Sequence, residues 1–251
     1  MIIALIDSAA TRGAELICMP ENAVMMENSS KRSIEKAANV NKNPALEAFK
    51  SAAKKQKVWL HCGSLSIKLS SGKLANRTFV ISPEGRVVGE YDKINMFDVD
   101  LGGGERYKES NTFVPGQKLT LVPLPWGTMG LTICYDLRFP SLYRSLAQGG
   151  AHMIAVPSAF TVVTGRAHWT VLLQARAIET GCFIFAPAQV GLHSSNRQTY
   201  GHSMIIDPWG RILVEAKNDD NIILADIDVN LVAAVRKKIN SVNHDAIYTA
   251  F

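Results

Sequence analysis

The chain has 251 residues, 47% of them hydrophobic and 20% charged, with a formal net charge of +5. That is enough apolar material to bury a sizeable core, and no apolar run approaches the ~18 residues of a membrane span. Basic and acidic residues are interspersed, so the clusters Lys54, Lys55, Lys57 and Arg236–Lys238 read as solvated helix faces and no nucleic-acid partner is expected.

The opening MIIALIDSAATRGAEL carries no basic leader and no cleavage pattern. Its apolar spacing predicts a helix over 2–12, stopped at Gly13. Leu16 to Met19 reads as a short buried strand, Pro44 to Lys55 as a helix, and Val58 to Ile67 as a strand. Arg77 to Ser82 and Arg86 to Asp92 form a hairpin around Pro83-Glu84-Gly85. Leu119 to Leu124 and Thr128 to Cys134 flank a turn at Trp126-Gly127. Ser141 to Gln148 is a helix, Met153 to Val156 a strand, Ala167 to Thr180 a helix and Cys182 to Ala186 a strand. Residues 191–201 read as polar loop. Ser203 to Ile206 pairs with Ile212 to Glu215, Ile222 to Ile227 is a last strand, and Asn230 caps a helix over Leu231 to Ile239. Strands and helices alternate throughout with no linker or repeat, which predicts an α/β fold, sheets covered by helices, in a single domain over 1–251.

Four cysteines, Cys18, Cys62, Cys134 and Cys182, lack CxxC spacing, and three lie in apolar runs where a buried free thiol is the default. The pattern fits a reducing, cytoplasmic setting with neither disulfides nor a zinc site. Cys134 differs from the others. In LTICYDLRFP an apolar run ends at a turn, which places a thiol at a strand exit within reach of a substrate. Two further segments end in chemistry-bearing groups, ICMPEN at Glu21 and YDKINMFDVD at Lys93. A thiol is a strong nucleophile once deprotonated. A carboxylate can take its proton and return it to a leaving amine. An ammonium favours the thiolate and the oxyanion that follows, and the Tyr135 N–H, next in the chain, is a second oxyanion donor. Each residue has a bland reading: core cysteine, helix-cap glutamate, solvated lysine. Their conjunction is the specific signal.

That conjunction resembles the nitrilase superfamily of carbon–nitrogen hydrolases, through GAELICMPEN, GRVVGEYDKINMFDVD and GLTICYDLRFP. The resemblance covers nearly the whole chain. It implies a four-layer α-β-β-α sandwich, a Glu21-Lys93-Cys134 triad, a thioester intermediate, no cofactor or metal, and a homodimer. It also implies a second glutamate, which helps orient the substrate and the lysine and falls on Glu109. The stretches VPSAFTVVTGRAHWTVLLQARAIET and YGHSMIIDPWGRI are most similar to the deaminated-glutathione amidase branch, with ω-amidase, which prefers 2-oxoglutaramate, a close relation. The substrate expected is a small carboxylated ω-amide. Ser158, Phe160, Arg166 and His168 are then expected on a pocket loop, where Arg166 meets a substrate carboxylate or is simply a loop arginine. Trp169, Arg176 and Glu179 are expected to hold the helix in place.

Two features depart from the family pattern. A first strand and loop, on the order of 25–30 residues, are expected to be absent before the opening helix, leaving an unpaired sheet edge. Asn95 stands where relatives carry histidine. Rival readings stay open. A Cys-His hydrolase would draw on one of six histidines, none with a local signature. Gly102-Gly103-Gly104 lacks a Walker lysine and reads as an entrance loop. A silent scaffold, an acyltransferase and a nitrile substrate complete the alternatives.

Overall fold

The computed structural model describes residues 2–27, 29–193, 197–217, 222–244 and 249. Helix α1 (Ile2–Thr11) ends where Gly13 takes φ +92°, and strand β1 (Leu16–Cys18) follows. The short helix α2 (Ser30–Lys36) is capped by Ser29, whose hydroxyl accepts from the Arg32 N–H. Helix α3 (Pro44–Gln56) starts where the Asn43 side chain accepts from the Ala45 and Leu46 N–H groups. Pro44 costs nothing in that first turn, whose amide would be unpaired anyway. Strands β2 (Trp59–His61), β3 (Leu65–Lys68), β4 (Leu74–Ile81) and β5 (Val87–Asp92) join β1 in a first sheet of order β1-β2-β4-β3, with β5 also on β4.

The single strand expected over Val58 to Ile67 is broken at 62–64. Gly63 sits at φ +65°, and a Cβ there would collide with the Pro20 carbonyl. The break frees Ser64 to accept from the Asn22 N–H at 2.9 Å while its carbonyl accepts from Ala23 N–H at 3.2 Å. A sheet irregularity thus fixes the loop that carries Glu21.

Strands β6 (Asp98–Asp100) and β7 (Arg106–Lys108) form a separate hairpin around the three glycines. The second sheet takes β8 (Leu121–Leu124), β9 (Gly127–Leu131) and, after helix α4 (Pro140–Gln148), β10 (Met153–Ala155). Helix α5 (Val162–Thr180) leads to β11 (Phe183–Ala186). A hairpin of β12 (Val190–Leu192) and β13 (Gln198–Tyr200) stands where the polar loop is expected. Strands β14 (Met204–Ile206) and β15 (Ile212–Glu215) complete an order of β15-β14-β11-β10-β9-β8, parallel at its centre. Helix α6 (Asn230–Lys238) closes the described chain, and Asp228, not Asn230, supplies its cap by accepting from the Asn230 N–H.

Helices α1 and α3 pack together outside the first sheet, around Ile6, Leu46, Phe49 and Phe79. Helices α4 and α5 cover the second, around Tyr143, Trp169 and Leu173. Val80 and Tyr91 of the first sheet join Met129 and Leu131 of the second in one core, so the order of layers is α-β-β-α. No helix among the described residues is long and apolar enough to cross a membrane.

The strand expected at Ile222 to Ile227 does not form; the segment makes no backbone hydrogen bond to another described residue. Its sequence suits a strand, but no described strand pairs with it. Among the described residues, strand β1 is the end of its sheet. Cys18, expected in a core, is only half-buried on that edge, whereas Cys62 and Cys182 are fully buried.

Among the histidines, His61 is fully buried; its Nδ1 accepts from the Gly63 N–H, which leaves Nε2–H to donate to Thr78 Oγ1 at 3.0 Å. Burial lowers its pKa from 6.5 to about 4. Between those values the unfolded chain binds a proton that the folded chain refuses, so stability falls as pH drops from 6.5 toward 4, by roughly 3 kcal/mol in all. His61→Asn, compared with wild type by urea denaturation across that range, should flatten this part of the acid limb. An unchanged slope would mean that His61 does not titrate there.

Candidate active site

Glu21, Lys93 and Cys134 lie on three separate segments. Glu21 follows β1, Lys93 follows β5, and Cys134 opens a 3-10 turn (Cys134–Arg138) after β9. All three side chains are buried, at 3%, 2% and 7% exposure, which removes bulk water from whatever chemistry they do. Lys93 Nζ sits 3.1 Å from Glu21 Oε1 and 2.8 Å from Glu109 Oε2. The Cys134 thiol is near enough to the Glu21 carboxylate and the Ala159 N–H for both to bear on its ionisation.

The cluster has its own supports. Asn76 Nδ2 donates to Glu21 Oε1 at 2.9 Å and to Glu109 Oε1 at 3.3 Å. The Phe97 N–H donates to Glu109 Oε2 at 2.7 Å. Gln189 Nε2 donates to the carbonyls of Glu21 and Asn22 at 3.0 and 3.3 Å. Cys134 itself is held at φ +50° by a hydrogen bond from its N–H to the Pro157 carbonyl. A left-handed non-glycine residue is costly unless its surroundings impose it. Here it turns the chain so that the Tyr135 N–H makes no hydrogen bond to a described residue.

Charge follows from this packing. Burial alone would raise the Glu21 pKa, but the Lys93 charge, the thiol hydrogen bond and Arg197 outweigh it, and the net shift is downward. Burial disfavours the Lys93 ammonium, yet Glu109 and Glu21 together hold it well above the usual lysine value. Burial and the Glu21 charge push the Cys134 thiol up, and Lys93 only partly offsets them. The lysine does draw the thiol toward ionisation, as expected, but does not win. At rest the trio is therefore carboxylate, ammonium and protonated thiol. A proton can pass from sulfur to Glu21 only as the sulfur engages an electrophile.

Lys93 and Cys134 are also tied together by a group with no sequence signal. Asp136 is fully buried and accepts from Tyr91 Oη at 2.7 Å, the Asn95 N–H at 2.9 Å, Asn95 Nδ2 at 2.8 Å and the Ile133 N–H at 3.0 Å. Asn95, the departure from the family pattern, thus has a defined partner just beyond Lys93.

The cluster floors a cavity of about 390 Å³, also lined by Tyr135, Phe160, Arg138 and Arg197 and by the β6–β7 hairpin at Arg106 to Lys108. Phe160 stands where a pocket residue is expected, packed on Trp169 at 4.8 Å between ring centroids. The loop expected around Arg166 and His168 is instead the first turns of α5, because Thr161 caps a helix that begins at Val162. Both residues are exposed and neither lines the cavity. Ser158 is fully buried outside the lining, its hydroxyl donating to the Val156 carbonyl at 3.1 Å. Trp169 and Arg176 do anchor α5, through the His202 and Leu137 carbonyls, and Glu179 pairs with Arg176 at 2.8 Å.

The cations of the pocket come from elsewhere. Arg197 donates to the Ala159 carbonyl at 3.2 Å and lies 5.5 Å from the Tyr107 ring, while its buried Nε has no partner among the described residues. Arg138 lies 5.5 Å from the Phe160 ring. None of the six histidines lines the cavity, which removes the Cys-His reading.

Comparison with known proteins agrees with this geometry. A family model described as carbon-nitrogen hydrolase matches residues 1–237. A deaminated glutathione amidase of Synechocystis is 41% identical over 245 residues, 96% of this chain and 89% of the relative. Among solved structures, the NitFhit protein of C. elegans superposes with a TM-score of 0.91 at 34% identity, covering 97% of this chain and 60% of that one. Saccharomyces cerevisiae Nit3, described as a member of branch 10 of the nitrilase superfamily, gives 0.85 at 27% identity, with 95% and 86% covered.

Proposed function

The chain belongs to the carbon–nitrogen hydrolase family, and from that premise we propose that it is a cysteine-dependent amidase acting on a small carboxylated ω-amide of the deaminated-glutathione type. The observation that carries this reading is the buried Glu21, Lys93 and Cys134 cluster beneath a cavity lined by arginines.

Cys134 Sγ attacks the amide carbon as its proton passes to Glu21. The oxyanion that develops meets the Lys93 ammonium and the Tyr135 N–H. Collapse of the tetrahedral species breaks the C–N bond, and Glu21 delivers the proton that lets ammonia leave, which gives a thioester on Cys134. Glu21 then removes a proton from water, which attacks the thioester and releases the acid and the thiol. Glu109 holds Lys93 in place and lines the cavity beside it. Arg197 and Arg138 meet the substrate carboxylates, the part first assigned to Arg166.

Ammonia release from deaminated glutathione, 2-oxoglutaramate, glutamine and a simple nitrile tests the assignment. Turnover of deaminated glutathione above the others is expected. Preference for 2-oxoglutaramate would move the chain to the ω-amidase reading, and silence on all four would favour a scaffold. Arg197→Met should raise KM for carboxylated amides roughly 10- to 100-fold while kcat changes little, since the arginine binds ground and transition states alike. An equal loss on an uncharged amide would assign Arg197 to holding Glu21 ionised instead.

The four free cysteines suit the reducing cytoplasm. Val163, Val171 and Ile178, exposed along one side of α5, support a homodimer.

A further inference from the structure

The hydrogen bonds around Glu21 are shared unevenly between its two oxygens. Oε1 accepts from Asn76 Nδ2 at 2.9 Å and from Lys93 Nζ at 3.1 Å. Among the described residues, no N–H donor is bonded to Oε2. The same two donors also meet Glu109 Oε1, Asn76 at 3.3 Å and Lys93 at 3.1 Å. Two donors and two acceptors thus close a ring, and the two hydrogens of the Asn76 amide serve one glutamate each.

Asn76 is fixed where that ring needs it. It lies on β4, which has β2, β3 and β5 as neighbours in the first sheet. Its carbonyl accepts from the Lys93 N–H at 2.9 Å, so amide and lysine are side by side before either reaches a glutamate. The residue is 2% exposed, and its Oδ1 has no partner among the described residues. Exchanging Oδ1 and Nδ2 would set an acceptor against two carboxylates, so the direction of the amide is determined. An orphaned acceptor in the interior is a cost. Here it is tolerated, and both amide hydrogens stay on the glutamates. A carboxylate with one oxygen saturated has only the other to offer a thiol.

We propose that Asn76 is a positioning residue for proton transfer: with Lys93 it holds Glu21 Oε1, so that Oε2 alone takes the Cys134 proton and returns it to the leaving nitrogen, a role that rests on the amidase reading only for its second step. The charged groups facing Glu21 are Lys93, Arg197 and Glu109, beside the Cys134 thiol. Lys93 and Arg197 favour its charge and Glu109, a like charge, opposes it. Loss of the Asn76 donor removes a hydrogen bond to the charged form, so Glu21 takes up a proton more readily as pH falls.

Alkylation of Cys134 by iodoacetamide, read by peptide mass, tests the first step without any amide substrate. The S–C bond forms, iodide leaves and the thiol proton goes to Glu21. In Asn76→Ala the alkylation rate at pH 5, relative to that at pH 7.5, should be at least ~3-fold lower than in the wild type, with circular dichroism showing the fold at both pH values. On deaminated glutathione kcat should fall roughly 10- to 100-fold while KM stays within ~3-fold. Asn76→Ser is read the same way where the alanine variant does not fold. Thr78→Val strips His61 of its partner on the same strand, and should lower Tm while the alkylation ratio stays at the wild-type value. An unchanged ratio in a folded Asn76 variant overturns the proposal, and so does an equal shift in Thr78→Val. A wild type silent on every amide, with alkylation still dependent on Asn76, would remove the amidase reading and uphold Asn76 in thiol deprotonation.

Discussion

Cys134→Ala should abolish ammonia release, with kcat falling on the order of 10⁴- to 10⁶-fold, while the fold survives. No other cysteine lines the cavity, so nothing nearby can take over the attack. The size of the loss follows from removing the atom that forms the covalent bond, after which Lys93 and the Tyr135 N–H have no oxyanion to stabilise. Cys134→Ser should fare little better, because a hydroxyl is far harder to deprotonate and Glu21, held ionised at low pKa, is a weak base for it. Cys18→Ala and Cys62→Ala should keep turnover within a few-fold. Cys62→Ala should lose some stability, since it empties fully buried volume. Parallel kinetics and circular dichroism on the four variants decide the matter. Equal loss in Cys134→Ala, Cys18→Ala and Cys62→Ala would remove the nucleophile assignment.

Lys93→Met should cost both activity and stability, and the two losses should separate. Turnover should drop roughly 10³-fold or more with the loss of oxyanion charge. Stability at neutral pH should fall by about 3–5 kcal/mol, because Glu21 and Glu109 would face each other without a counter-charge. The pH dependence should change sign. In the wild type the Glu21 pKa is lowered, so its contribution is present above the unfolded-state value and is lost as pH falls through the folded one. Without Lys93, burial and the neighbouring carboxylate raise it, and the stability it contributes is lost as pH rises through the new folded value. Adding Glu109→Gln to Lys93→Met removes one of the two charges. Stability should largely return while turnover stays low. Recovery of both would make the lysine a structural ion and nothing more.

What was legible in the sequence was whatever lay in a contiguous motif or a local period. Glu21, Lys93 and Cys134 each close a short apolar run, and the structure brings all three together. Glu109 has no such signature. It was found only through resemblance, because its partner Lys93 is 16 residues away and the contact exists only once the β6–β7 hairpin folds back. Asp136 sat unread inside CYDLRFP, since its partners Tyr91 and Asn95 come from another segment. Arg197 was lost in a stretch read as loop. Its polar residues hid the pairing of β12 and β13, strands of three residues each, too short to show a period. Arg166 and His168 miss the expected loop for a local reason: the Thr161 cap starts the helix at Val162, ahead of the start expected at Ala167. The strand at 222–227 failed for a non-local one. Propensity was right, but a strand is made by its neighbour.

The three groups of the catalytic cluster are divided between the sheets: Glu21 and Lys93 leave the first, and Cys134 leaves the second. During refolding, either sheet can form its own ladder and give a circular-dichroism signal without creating a site. The proton acceptor meets the thiol only when the two layers dock and Asp136 reaches Tyr91. Returning turnover is thus a clock for that docking event. A lag of turnover behind secondary structure would time that docking, and the two returning together would mean that the layers form and dock in one step.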